Sequence, residues 1–168
     1  SLSEKASLIG RTGMMLLSCG TGAWRVRSSM NTLSEALGIT CSADIGLMSI
    51  SYTCFDGESS FSHALSLTTT GVNTSRLNRL EHFVSDFPAE GIHMSGEALH
   101  SQLDEIERIH GLYSPAALGL ASALACGAFT FLLGGGPLEM ILAFAGAGIG
   151  IAIRCKLGKH HFTLFMLS

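Results

Sequence analysis

The sequence predicts an α+β domain, ordered helix-helix-hairpin-helix-helix, followed by α-helical transmembrane segments. Three observations carry this expectation. Charged residues make up only 14% of the 168 residues, against about 25% in ordinary soluble proteins, and mean hydropathy is positive at +0.41. The charge is also unevenly placed: residues 1–113 hold seven Lys/Arg and twelve Asp/Glu, a balance of −5, whereas 114–168 hold three bases and the single acid Glu139. Finally, helical spacing and strand alternation are confined to the charged part, and long uncharged runs to the rest. Residues 1–113 are therefore read as a cytoplasmic α+β domain and 114–168 as a transmembrane region.

The elements of the first part follow in order. Ala6, Leu8, Ile9, Met14, Leu16 and Leu17 predict a helix over Glu4–Cys19, ended by Gly20 and Gly22. Val26, Met30, Leu33 and Leu37 recur at helical spacing over Trp24–Leu37, with Gly38 as the stop. Ile45 to Tyr52 alternates as a strand, Asp56-Gly57 is a turn dipeptide, and Phe61–Thr70, rich in Thr and Leu, is the returning strand. Asn73 or Ser75 caps a helix to about Asp86, and Ser95 opens another to about His110.

Pro115 to Leu133 carries no charged side chain, and Leu138 to Ile153 follows after Gly134-Gly135-Gly136-Pro137. A hydrocarbon core of ~30 Å needs about 20 apolar residues, so these runs predict two spans. Arg154, Lys156 and Lys159 close the second, which by the positive-inside tendency is its cytoplasmic end. Phe162 to Leu167 begins a third apolar segment too short to cross, as in a truncated chain. The predicted location is a bacterial inner membrane, multi-pass, with the lipid bilayer as first partner.

Candidate sites are few. Cys19, Cys41, Cys54, Cys126 and Cys155 contain no CxxC, and their odd number and wide spacing suggest neither a zinc ribbon nor a disulfide framework. Seven histidines (His63, His82, His93, His100, His110, His160 and His161) form no HExxH or paired H-x3-H site. No G-x-S-x-G elbow occurs, Gly134–Gly136 lacks the Lys-Ser/Thr of a phosphate loop, and no basic stripe points to nucleic acid. Neither catalytic residue, metal nor cofactor is assigned. Gly146 and Gly150 form GxxxG, extended by Ala143 and Ala147, a pattern that lets helix backbones approach. Ser122 and Thr130 are the polar groups of the first apolar run; Arg25 and Arg76 could draw a carboxylate toward an entrance, or pair with nearby acids.

Four stretches in this order resemble the threonine/serine exporter family. Gly20-Thr21-Gly22-Ala23-Trp24-Arg25-Val26, leading into a helix that ends at Ala36-Leu37-Gly38, is similar to the family's G-A-E-x-x-R-V-E signature. Gly71-Val72-Asn73-Thr74-Ser75-Arg76-Leu77 is similar to its G-[IV]-N-x-x-[KR]-L. Leu103-Asp104-Glu105-Ile106 resembles its L-x-x-I helix, and Phe131 to Gly136 its F-G-G turn. Two acidic positions of the signature are Gly22 and Arg27 here. The likeness is greatest to the split branch, which implies export of succinate or of threonine and serine, a second small membrane subunit as partner, and room for a homo-oligomer. Competing with this are a membrane-tethered hydrolase using Ser62, His63 and Asp44, and a non-catalytic sensor domain that gates a transporter.

Overall fold

The computed structural model describes residues 1–68, 70–109 and 114–158. The chain divides into two units, Ser1–Gly111 and Leu112–Ser168.

In the first unit, α1 (Leu2–Ser18) starts from a capping box in which Ser1 and Glu4 satisfy each other's backbone. Its apolar stripe buries Ala6, Ile9 and Leu16 completely. Helix α2 (Ala23–Ala36) buries Val26, Met30 and Leu33, the positions that helical spacing selects. It ends through Gly38, whose φ of +67° suits a residue without Cβ. Strands β1 (Thr40–Ile45), β2 (Ser49–Phe55) and β3 (Ser60–Ser66) form an antiparallel meander in chain order. Ile50, Tyr52 and Cys54 of β2 face the core, against α1, while Ser49, Ser51, Thr53 and Phe55 face away. Helix α3 (Thr74–Asp86) begins at Asn73, whose side chain accepts from the Arg76 amide. After a short 3-10 turn at Gly91–His93, α4 (Gly96–Glu107) begins at Ser95 in the same way. Leu80, Phe83, Phe87, Leu99, Leu103 and Ile106 from these last helices join the same core.

The sheet corrects the expected hairpin. Among the described residues there are three strands, because the strand expected over Ile45–Tyr52 straddles a turn: the Gly46 amide donates to the Ser49 carbonyl at 2.8 Å. Leu47 sits at the tip, 90% exposed. Two apolar residues at a turn made the segment read as continuous, and β1 went unseen because Cys41 and Ala43 give its inner face little bulk.

In the second unit, α5 (Pro115–Leu132) and α6 (Pro137–Gly158) fold back on one another through Leu133–Gly136. Small residues let the two backbones approach: a Cβ on Gly119 would touch Ile151, one on Gly127 would touch Met140 and Phe144, and one on Gly148 would touch Ala123.

The expected transmembrane spans are overturned here. Among the described residues, no helix is long and apolar enough to cross a membrane. Helix α5 has 18 residues, about 27 Å at 1.5 Å per residue, against a core of ~30 Å, and Gly119, Ser122, Gly127 and Thr130 dilute it. Helix α6 has 22 residues, but Glu139 and Arg154 confine its uncharged part to residues 140–153, about 21 Å. A run of uncharged residues in the sequence thus overstated the apolar length of helix. The third segment expected from Phe162 lies outside the described residues, as do Lys159, His110, His160 and His161.

Candidate functional site

The signature arginines take structural positions in the first unit. Arg25 Nη1 meets Glu81 Oε1 at 2.8 Å, joining α2 to α3, and its guanidinium lies 5.3 Å from the Trp24 ring centre. Among the described residues Arg76 pairs with no acid. Its Nη2 donates to the carbonyls of Glu107 and Ile109, the latter at 3.1 Å, at the C-terminal end of α4 where the helix carries partial negative charge. Asn73 Nδ2 also donates to the Ile109 carbonyl at 3.0 Å. The Gly71 and Asn73 amides donate to the Ser18 and Cys19 carbonyls, at 3.1 and 3.4 Å, tying the same segment to the end of α1. Residues 71–77 thus link the ends of α1 and α4. Burial pushes the nearby Cys19 thiol up, partly opposed by Ser18 and Arg76. A second tie joins α1 to α4: Arg11 reaches Asp104, and Glu107 at 2.8 Å. Its hydrogen bond holds the Asp104 carboxyl below the usual carboxylate range.

Beside a groove between α1 and α4 that holds Lys5 with Glu4, Glu97 and Asp104, a smaller groove in this unit combines charges of both signs. It has a volume of about 190 Å³ and lies between α3, the Gly91 turn and α4. Arg79 and His82 stand on one side, Asp86, Glu90 and Glu105 around it, over an apolar floor that includes Phe83, Phe87 and Ile106. None of the four charged groups besides His82 joins an ion pair among the described residues. Arg79 against Asp86, Glu90 and Glu105, one base against three acids, leaves these four groups at −2. Such a lining favours an ammonium group, offers a carboxylate only Arg79, and repels a dianion. Sequence reading missed it because its residues come from two helices whose packing no local motif announces.

The hydrolase candidates Asp44, Ser62 and His63 border one open groove on the sheet, but among the described residues no hydrogen bond joins any two of them. Ser62 and His63 are consecutive in β3 and point to opposite faces. The Ser62 hydroxyl is 2.8 Å from Thr53 Oγ1, while the His63 ring stacks on Phe61 at a centroid distance of 6.1 Å. Among the described residues, no group of three His, Cys, Asp or Glu could hold a metal ion.

In the second unit Thr130 is half-buried and its hydroxyl donates to the Cys126 carbonyl at 2.9 Å. Ser122 is half-buried on the same helix. Ala143 and Ala147 are half-buried, whereas Gly146 and Gly150 are exposed and a Cβ there would meet open space. Many large apolar side chains stay uncovered within this unit, among them Phe129, Phe131, Ile141 and Ile149, each more than 60% exposed. A surface of this kind marks contact with an apolar partner or medium.

The described part of the protein has a compact front unit and an apolar helical hairpin. Residues 7–168 match the model of the threonine/serine exporter family, ThrE. The chain belongs to that family, which implies a membrane transport protein exporting amino acids rather than an enzyme. No curated protein and no solved structure matches it.

Proposed function

We propose that the chain is one subunit of an exporter that moves threonine or serine out across a bacterial inner membrane, together with a second small membrane subunit. The family match over residues 7–168 carries this reading. The Arg79–Glu105 groove supports a zwitterionic amino acid over succinate, since its net negative lining would repel two carboxylates. Exposed apolar side chains on α5 and α6 supply the surface on which the second subunit seats. The front unit, with its thiols free and its charge acidic, faces the cytoplasm. Arg25 and Arg76 hold that unit together, and Ser122 and Thr130 are the hydroxyls offered to substrate in the second.

Efflux tests this reading. Cells lacking the gene and its partner, preloaded with labelled threonine, serine or succinate, should retain threonine and serine until both genes are restored. Restored loss of succinate alone would move the substrate to the dicarboxylate class. Unchanged retention of all three would refute export.

A further inference from the structure

Two thiols meet inside the sheet. Cys41 of β1 and Cys54 of β2 are direct cross-strand partners, and their Sγ atoms lie 3.2 Å apart with Cys54 as donor. The ladder shows which kind of pair this is. Gly46 and Ser49 close the turn with a hydrogen bond, and counting outward along the register makes Cys41–Cys54 a non-hydrogen-bonded pair. Such pairs bring their Cα atoms to about 4.5 Å, within the range of about 4.4–6.8 Å that a disulfide spans. Both residues are free thiols, each on the inward side of its strand.

We propose that Cys41 and Cys54 form an oxidant-responsive dithiol, a modification site that closes to a cross-strand disulfide with hydrogen peroxide as the oxidant. Cys41 reacts first. It is half-buried and borders a surface groove with Arg27, Asn31, Ser42 and Ala43, whereas Cys54 is fully buried. The Cys41 thiolate attacks one peroxide oxygen, the O–O bond breaks, and Cys41 becomes a sulfenic acid as the other oxygen leaves as water after protonation. Cys54, losing its proton to solvent, attacks the Cys41 sulfur, the S–O bond breaks, and a second water leaves. Two thiols and one peroxide thus give one disulfide and two waters.

Burial sets the pace of the first step. It pushes the Cys41 thiol up to about 12, with the neighbouring Cys54 adding to the rise. The nucleophilic thiolate is therefore scarce at neutral pH, and the rate of oxidation climbs with pH. The second step is intramolecular between sulfurs already in contact. The pair is accordingly slow to enter the reaction and quick to finish it. Closure would tie together β1 and β2, the strands on which α2 and α1 pack.

Hydrogen peroxide treatment of the full chain, read by intact mass and non-reducing peptide mapping, tests the proposal. The expected product is two hydrogens lighter, holds a Cys41–Cys54 linked peptide, and reverts with a dithiol reductant. Its rate of formation should rise about tenfold per pH unit near neutrality. Cys54→Ala should stop at a Cys41 sulfenic acid that dimedone traps, and Cys41→Ala should leave Cys54 unmodified. The wild-type arm decides the matter even if either variant fails to fold. Oxidation of exposed Cys126 without the linked peptide, or linkage of Cys41 to any other cysteine, would overturn it.

Discussion

Gly10 lies in the middle of α1 beneath the ring of Tyr52, which is only 4% exposed. A Cβ placed on Gly10 would sit 2.3 Å from the Tyr52 hydroxyl oxygen and 2.4–2.6 Å from two ring carbons. The Gly10→Ala substitution therefore sets two effects against each other. Alanine favours the helix by about 1 kcal/mol over glycine. Overpacking a closed core costs about 1–3 kcal/mol, because the ring must retreat by more than an ångström among buried neighbours. The expected net change is a loss of about 0–2 kcal/mol. In a Tyr52→Val background the ring is gone, and the same substitution should stabilise by about 1 kcal/mol. The reversal of sign is the diagnostic quantity, a coupling of about 1–3 kcal/mol in the double-mutant cycle. Urea titration read by labelling of the Cys19 thiol, 2% exposed in the folded unit, would report opening of the front unit. Equal stabilisation by Gly10→Ala in both backgrounds would refute the packing of α1 on β2.

Asn73 both caps α3 and holds the Ile109 carbonyl. Asn73→Ala should lower stability by about 1–2 kcal/mol, while Asn73→Asp, which keeps the cap but not the donor, should lose less; amide exchange in the first turn of α3 checks both. Arg11 lowers the folded-state pKa of Asp104 below its ordinary value, so this contribution is complete above the normal carboxylate range and disappears as pH falls through the folded value. Arg11→Gln should flatten the acid limb of a plot of urea midpoint against pH, and unchanged curvature would count against the pairing. Leu103, fully buried on α4, should cost about 2–5 kcal/mol when truncated to Ala, a loss that thermal unfolding would register.

Much of the front unit was legible in its sequence because each helix announces itself twice, by apolar spacing and by a terminus. Val26, Met30 and Leu33 are buried on α2, Asn73 rather than Ser75 caps α3, and Ser95 caps α4. The sheet was less legible, since Leu47 and Met48 are apolar yet lie in a turn, and the pairing of Cys41 with Cys54 depends on recognising β1. Arg25 finds the acidic neighbour that its charge suggested, but Arg76 donates to carbonyls, which leave no mark in a sequence. The groove beside Arg79 exists only once α3 and α4 are packed. In the second unit composition revealed the apolar character but not the usable helix length, which Glu139, Arg154 and the dispersed small and polar residues shorten.

Counterflow in liposomes carrying the full chain with its neighbouring subunit tests the central claim most directly. Vesicles loaded with unlabelled serine should take up labelled threonine, and vesicles without protein should not. No protein-dependent threonine flux, in preparations where both subunits are shown to be folded and associated with the vesicles, would contradict the account.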